Sequence, residues 1–248
     1  MGVSPGSPAA APVAYVTGAA GGIGREVVAA LRARRIRVFG ADLALASIPC
    51  TDPDFFTAHL DVTDEAAVAR SVAQALDAFG RIDHVVHLAG RAGAGPIDRV
   101  SSAEWQAVLD VNLTSAFLVA KAAHAALRET RGTLTLMAST NAFNGGSALS
   151  GPAYAVSKAG IVNLTRYLAK EWAAEGIRVN ALAPGPIDTP MVSGRFTPEV
   201  LAQLRDSVPL KKFGEPGDVA HAIDYLTSGA AGFITGTVMN ISGGLLLD

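Results

Sequence analysis

Val13-Ala14-Tyr15-Val16-Thr17-Gly18-Ala19-Ala20-Gly21-Gly22-Ile23-Gly24 is the stretch that decides the fold. Five residues of apolar strand run into a glycine-rich turn, and a helical pattern follows from Arg25 to Arg34. Strand, glycine turn and helix in that order form the context a dinucleotide site requires. Gly18 permits the tight turn, Gly22 lets backbone approach a pyrophosphate, and Gly24 lets the helix pack on the strand. The helix N-terminus then offers unpaired N–H groups and a partial positive charge to phosphate. The turn as a whole, Gly18, Gly21, Gly22, Ile23 and Gly24, is assigned to the cofactor.

Further strands follow, each apolar as a covered parallel sheet demands. Strands are expected at 36–41, 55–60, 82–88, 132–138, 177–182 and 236–241, with helices between. The expectation is one α/β domain over 13–248, a doubly wound Rossmann-type parallel sheet of about seven strands with helices on both faces. Residues 1–12 read as a loose tail, being small, Pro-rich and uncharged, with neither the basic start nor the long apolar run of a signal peptide. The 248 residues suffice for one well-buried core. A formal charge of −2 leaves no basic footprint for nucleic acid. No apolar run approaches the roughly 18 residues that cross a bilayer. The lone cysteine, Cys50, allows no intrachain disulfide and fits a reducing, cytoplasmic setting.

The second strand ends at Asp42, 24 residues after Gly18, where an acidic residue meets the adenosine ribose. A carboxylate accepts from both ribose hydroxyls and repels a 2′-phosphate. No arginine follows it, and position 21 is glycine, so NAD is favoured over NADP. Asp61, beside Val62, is a candidate partner for the adenine amino group. Equally, Asp61 or Thr63 caps the helix that follows. Ala89-Gly90 ends the fourth strand with little bulk, letting a cofactor pass close. His87, inside an apolar run, reads as a buried neutral histidine. A helix opens at Ser101-Ser102-Ala103-Glu104, and another is expected from Val111 to Leu127 with Asn112 at its start. That helix, and the one from Pro152, carry more apolar surface than one sheet needs, which points to a subunit contact.

Ser139 ends the fifth strand, on the side where ligands of open parallel sheets lie. Its hydroxyl can donate to a carbonyl oxygen as charge builds there. Tyr154 and Lys158 are four apart, on one face of a helix. A nearby ammonium is expected to lower the phenol pKa and fit Tyr154 to exchange protons with an alcohol oxygen. Pro184-Gly185-Pro186-Ile187-Asp188-Thr189-Pro190 bends at the same sheet edge. The segment 191–212 reads as a substrate lid, and Phe143 and Leu149 as pocket-lining residues.

These motifs together resemble the classical short-chain dehydrogenase/reductase (SDR) family over nearly the whole chain after the tail. The matching residues are Thr17-Gly18, Gly22 and Gly24, Asp61, Ala89-Gly90, Asn112, Ser139, Tyr154 with Lys158, and Pro184-Gly185 with Thr189. The resemblance implies that Tyr154 is the proton donor or acceptor. Lys158 would hold the nicotinamide ribose and lower the Tyr154 pKa, and Ser139 would orient the substrate oxygen. Asn112 would anchor a relay water, and Ile187 and Thr189 would hold the carboxamide. It also implies a homotetramer.

Three departures stand out. His87-Leu88 occupies the place of two asparagines, Ser139 and Tyr154 are fifteen apart instead of thirteen, and Ser242 replaces an aspartate before Gly243-Gly244. The expected function is NAD-dependent interconversion of a secondary alcohol and its ketone. The alternatives are a 3-oxoacyl-thioester reductase of the same family and, from another class, a non-catalytic dinucleotide sensor. No metal site is expected.

Overall fold

The computed structural model describes residues 11–44 and 52–247. Cys50 and all but the last two residues of the expected tail lie outside them. The strands are β1 Val13–Thr17, β2 Arg37–Asp42, β3 Phe55–His59, β4 His84–His87, β5 Thr133–Met137, β6 Arg178–Pro184 and β7 Val238–Ile241. The helices are α1 Gly22–Ala33, α2 Glu65–Phe79, α3 Ser102–Leu109, α4 Ser115–Thr130, α5 Asn141–Asn144, α6 Pro152–Trp172, α7 Pro198–Ser207 and α8 Pro216–Thr227. The seven strands form one sheet, ordered β3-β2-β1-β4-β5-β6-β7, with all six pairings parallel. This is the Rossmann-type doubly wound sheet. The order reverses between β1 and β4, and that is where such sheets open a crevice beyond their strand ends.

Both faces of the sheet are covered, so the strands need apolar residues on both sides. Val13 and Tyr15 of β1 pack with residues of α2, α4 and α6. Ala14 and Val16, pointing the other way, pack with Val27 and Leu31 of α1 and Ile223 of α8. Truncating one of these, such as the fully buried Leu31, to alanine costs about 2–5 kcal/mol.

Two expected boundaries are corrected. The cap of α2 is neither Asp61 nor Thr63 but Asp64, whose Oδ1 accepts from Ala67 N–H at 3.0 Å. Asp61 Oδ1 instead accepts from Thr63 N–H and Oγ1–H at 2.9 and 2.7 Å. Nor does Asn112 start a helix. Asp110–Thr114 form a π-helical turn between α3 and α4, with right-handed helical backbone at both joins. The chain thus runs as one rod from Ser102 to Thr130. A π turn inserts one residue into the helical ladder and often marks functional positions.

Candidate active site

The switch point holds a cleft of about 780 Å³ lined by Gly18, Gly21, Gly22, Ile23, Gly24, Asp42, Asp61, Val62, Ala89, Gly90 and Thr189. Eleven of the expected cofactor positions therefore meet in one space. The glycines are required sterically. Gly18 sits at φ +70°, and a Cβ there would lie 2.7 Å from Ala89 N. A Cβ on Gly24 would lie 2.1 Å from Gly18 O. α1 begins here with no side-chain cap and no acidic residue in its first turn. Its leading N–H groups are left to an anion, as a pyrophosphate needs. The residues present fit a dinucleotide.

Asp42 Oδ2 accepts from Ala20 N–H at 3.1 Å, and Oδ1 accepts from Ala44 N–H at 2.8 Å. These bonds hold the carboxylate against the glycine turn at the wall of the cleft. Asp61 lies just past the neighbouring strand's end, one residue after Leu60, whose N–H donates to Asp42 O at 3.1 Å. The bonds of Asp61 to Thr63 hold its pKa below the usual carboxylate value. The sequence reading missed Arg25 and Arg91, which also line the cleft. Arg25 Nε is turned to Ala20 O at 2.9 Å, and Arg91 Nη2 pairs with both oxygens of Glu104 at 2.8 and 3.0 Å. A basic residue in sequence gives no sign of the wall it will reach.

The chemical residues gather at the end of β5. Ser139 and Lys158 are buried; Tyr154 is partly exposed as a residue, but its phenol oxygen is enclosed and hydrogen-bonded by Ser139. Lys158 Nζ donates to the carbonyl of Met137 at 2.8 Å. It stands 5.6 Å from the Tyr154 ring centre. The expectation that Lys158 lowers the Tyr154 pKa is corrected here. Burial pushes that phenol up, with the Ser139 hydroxyl opposing in part. Burial pushes Lys158 down to about 8. The physical reason is that loss of solvent disfavours the phenolate, while the ammonium is bonded to Met137 O.

Asn112 is buried, and its side chain clamps the turn after β4. Oδ1 accepts from Arg91 N–H at 2.8 Å, and Nδ2 donates to Arg91 O at 2.9 Å and to Ser157 Oγ at 3.1 Å. A Cβ on Gly90 would lie 3.2 Å from Asn112 Oδ1 and 3.6 Å from Lys158 Nζ. The π turn thus links the cofactor wall to the helix that carries Tyr154.

Pro184, Gly185 and Ile187 do not line the cleft; Pro184 O accepts from Thr140 N–H at 3.0 Å, next to Ser139. Gly185 N–H donates to Ile241 O at 2.9 Å, and the Ile187 side chain is buried in the core. Thr189 leans on the glycine turn, because a Cβ on Gly22 would meet its Cγ2 at 3.0 Å.

The three departures find physical accounts. His87 is buried, with Nδ1 2.7 Å from Thr17 Oγ1 and Nε2 3.0 Å from Ser115 Oγ. It ties β4 to β1 and to the start of α4, and burial lowers its pKa to about 3, so it is neutral. The longer span between Ser139 and Tyr154 folds into α5 and three glycines at positive φ, Gly145, Gly146 and Gly151. Asn141 Nδ2 fastens it to Ser150 Oγ at 2.8 Å. Phe143 and Leu149 on this span are exposed. Ser242 Oγ accepts from Leu246 N–H at 3.1 Å, and its backbone abuts Gly185.

The family model described as Enoyl-(Acyl carrier protein) reductase matches residues 18–246. A (2S)-((R)-hydroxy(phenyl)methyl)succinyl-CoA dehydrogenase subunit from Thauera aromatica is 35% identical, covering 94% of this chain and 95% of its own. A 3-oxoacyl-(acyl-carrier-protein) reductase from Synechocystis sp. is 34% identical, covering 96% and 98%. A short-chain dehydrogenase/reductase structure from Brucella melitensis, titled a glucose/ribitol dehydrogenase, superposes with TM-score 0.90 at 30% identity over 96% of this chain and 97% of that one. The protein is thus an oxidoreductase of the kind that works with nicotinamide dinucleotides. Its family is the short-chain dehydrogenases/reductases, to which the chain belongs.

Proposed function

We propose that the protein interconverts a secondary alcohol and its ketone with NAD, using Tyr154 as the acid and base. The observation that carries this reading is the meeting of Ser139, Tyr154 and Lys158 at the end of β5, beside a cleft walled by the glycine turn. NAD, when bound, supplies the hydride acceptor. Gly18, Gly21, Gly22, Ile23 and Gly24 would hold its pyrophosphate on α1, and Asp42 its adenosine ribose. Asp61 and Val62 would sit at the adenine, and Pro184, Gly185, Ile187 and Thr189 at the carboxamide. Ala89 and Gly90 leave it room.

Ser139 donates a hydrogen bond to the substrate oxygen and keeps its proton. Tyr154 gives its Oη proton to a carbonyl oxygen in reduction and takes the alcohol proton in oxidation. A phenol raised by burial holds its proton at neutral pH, which favours the donor role. Lys158, fixed on Met137 O, keeps a cation under the site, and Asn112 keeps the 90–91 turn in register with α6. The expected water relay belongs to this proposal. So does the lid role of 191–212, which starts beside Thr189 on the cleft wall and contains α7.

A homotetramer in a cytoplasmic setting completes the reading. Phe117 on α4 and Tyr167 on α6 remain 50% and 62% exposed beside a groove of about 440 Å³, which supports a subunit contact there. Mass in solution tests it. No helix among the described residues is long and apolar enough to cross a membrane.

The test of the activity is an alcohol and ketone panel with NAD and NADH. Wild-type turnover and a loss of about 100- to 10,000-fold in Tyr154→Phe are expected. Equal turnover by the two removes Tyr154 from the mechanism, and no turnover by either favours a sensor. A second reading, reduction of a 3-oxoacyl thioester, is favoured by the relative that carries that name. Asp42 opposes it through the NADP that biosynthetic reductases prefer. Glu175 opposes it where a carrier protein would meet basic charge, and its carboxylate is already engaged by His124 at 2.6 Å.

A further inference from the structure

Arg195 bridges two segments that leave the sheet on either side of β5. It lies in the segment after β6, while Gly93 lies in the segment after β4, and these two strands flank β5. The Arg195 guanidinium Nη2 donates to the Gly93 carbonyl. The side chain therefore crosses above the end of the strand that leads into Ser139. Gly93 is itself part of the site's rim. A Cβ there would lie 3.2 Å from Ser150 O, and Gly95 N–H donates to Ala148 O at 2.8 Å. The segment before α6 thus packs on the one after β4, which the Arg195 guanidinium joins to the one after β6; the guanidinium also lies over the Phe196 ring at 5.4 Å.

The chemistry of that guanidinium is unspent. Among the described residues Arg195 pairs with no carboxylate, whereas Arg91 nearby is matched by both oxygens of Glu104. A neutral carbonyl is a weak partner for a guanidinium, and a carboxylate offers two charged oxygens matching its fork. Resting on the dehydrogenase reading above, we propose that Arg195 is the specificity residue for an anionic substrate. The substrate carries a carboxylate on the side of the molecule away from the reacting carbinol. On binding, that carboxylate takes the guanidinium from Gly93 O and draws the 189–195 segment over the site.

The test separates binding from turnover. Calorimetry on the protein saturated with NADH compares cyclohexanecarboxylate with its methyl ester. The carboxylate is expected to bind about 10- to 100-fold more tightly. Arg195→Met erases that difference, and Arg195→Lys restores part of it. An ester bound as tightly as the acid overturns the proposal. So does a preference that survives in Arg195→Met, or no binding of either probe. NADH affinity, measured alongside, is unchanged in both variants, which shows that the cleft is intact. Turnover of neutral alcohols judges the dehydrogenase reading separately. If they are oxidised while carboxylates gain nothing from Arg195, only this inference fails.

Discussion

Lys158 Nζ donates to the main-chain carbonyl of Met137 at 2.8 Å, so the last residue of β5 holds the cation beside the proposed acid. An ammonium in packed surroundings is held at a cost, and burial brings its pKa from 10.5 to about 8.

That shift predicts a pH dependence of stability. Below about pH 8 Lys158 is protonated in both folded and unfolded chains, and its contribution is flat. Between 8 and 10 the unfolded chain binds the extra proton, so stability rises with pH. Over two pH units the gain is about 2–3 kcal/mol. Above 10 the raised tyrosines, Tyr15 at about 12 and Tyr154, pull the other way. Urea melts at pH 8 and 10 measure the gain, and Lys158→Met abolishes it. A wild-type curve flat over this window refutes the assignment.

His87 gives the opposite edge. Its pKa falls from 6.5 to about 3, so acid protonates the unfolded chain first and stability drops as pH falls below 6.5. Partly buried His84, lowered to about 4 by loss of solvent, adds to the same slope. In His87→Asn, the loss of stability from pH 7 to 4.5 is smaller by about 2–3 kcal/mol. Melts of the two proteins at both pH values decide it. Identical losses would mean that His87 plays no part.

Gly18→Ala tests the cradle. The new methyl meets Ala89 N at a left-handed backbone position, and the expected destabilisation is about 1–3 kcal/mol. NADH binding, followed by its fluorescence, weakens as well. Unaltered stability and binding would show that the turn has slack.

Asp42→Ser tests the preference for NAD. On that proposal the wild type is expected to favour NADH. The variant loses charge-assisted bonds to a ribose and its repulsion of a 2′-phosphate. Its NADH-to-NADPH ratio of kcat/KM falls by about 10-fold or more. If the ratio holds, the selecting group lies elsewhere on that wall, with Arg25 the next to replace.

The sheet and the glycine cradle were legible in sequence because they rest on local patterns: apolar runs, a turn at Gly18 and helices of ordinary period. Tyr154 and Lys158 were legible because one helical turn fixes their spacing. The electrostatic relation between them was not. It depends on how much solvent each loses, and on the Met137 carbonyl, 21 residues away. The π turn at Asn112 escaped for a similar reason. No residue within Asp110–Thr114 announces it, and the clamp on Arg91 that accompanies it spans 21 residues. Arg91 and Arg195 carry no local signal, because their partners Glu104 and Gly93 lie in other segments of the rim.

The widened turn at Asp110–Thr114 works as a phase shifter within a single shaft. One surplus residue rotates everything beyond it by roughly 100° relative to an unbroken helix. α3 and α4 can therefore present differently oriented stripes, one beside Tyr154's helix and one on the sheet, with no loop between them. Removing one residue there would straighten the shaft yet swing Ser115 away from His87, so reaction centre and scaffold share one unit of chain length.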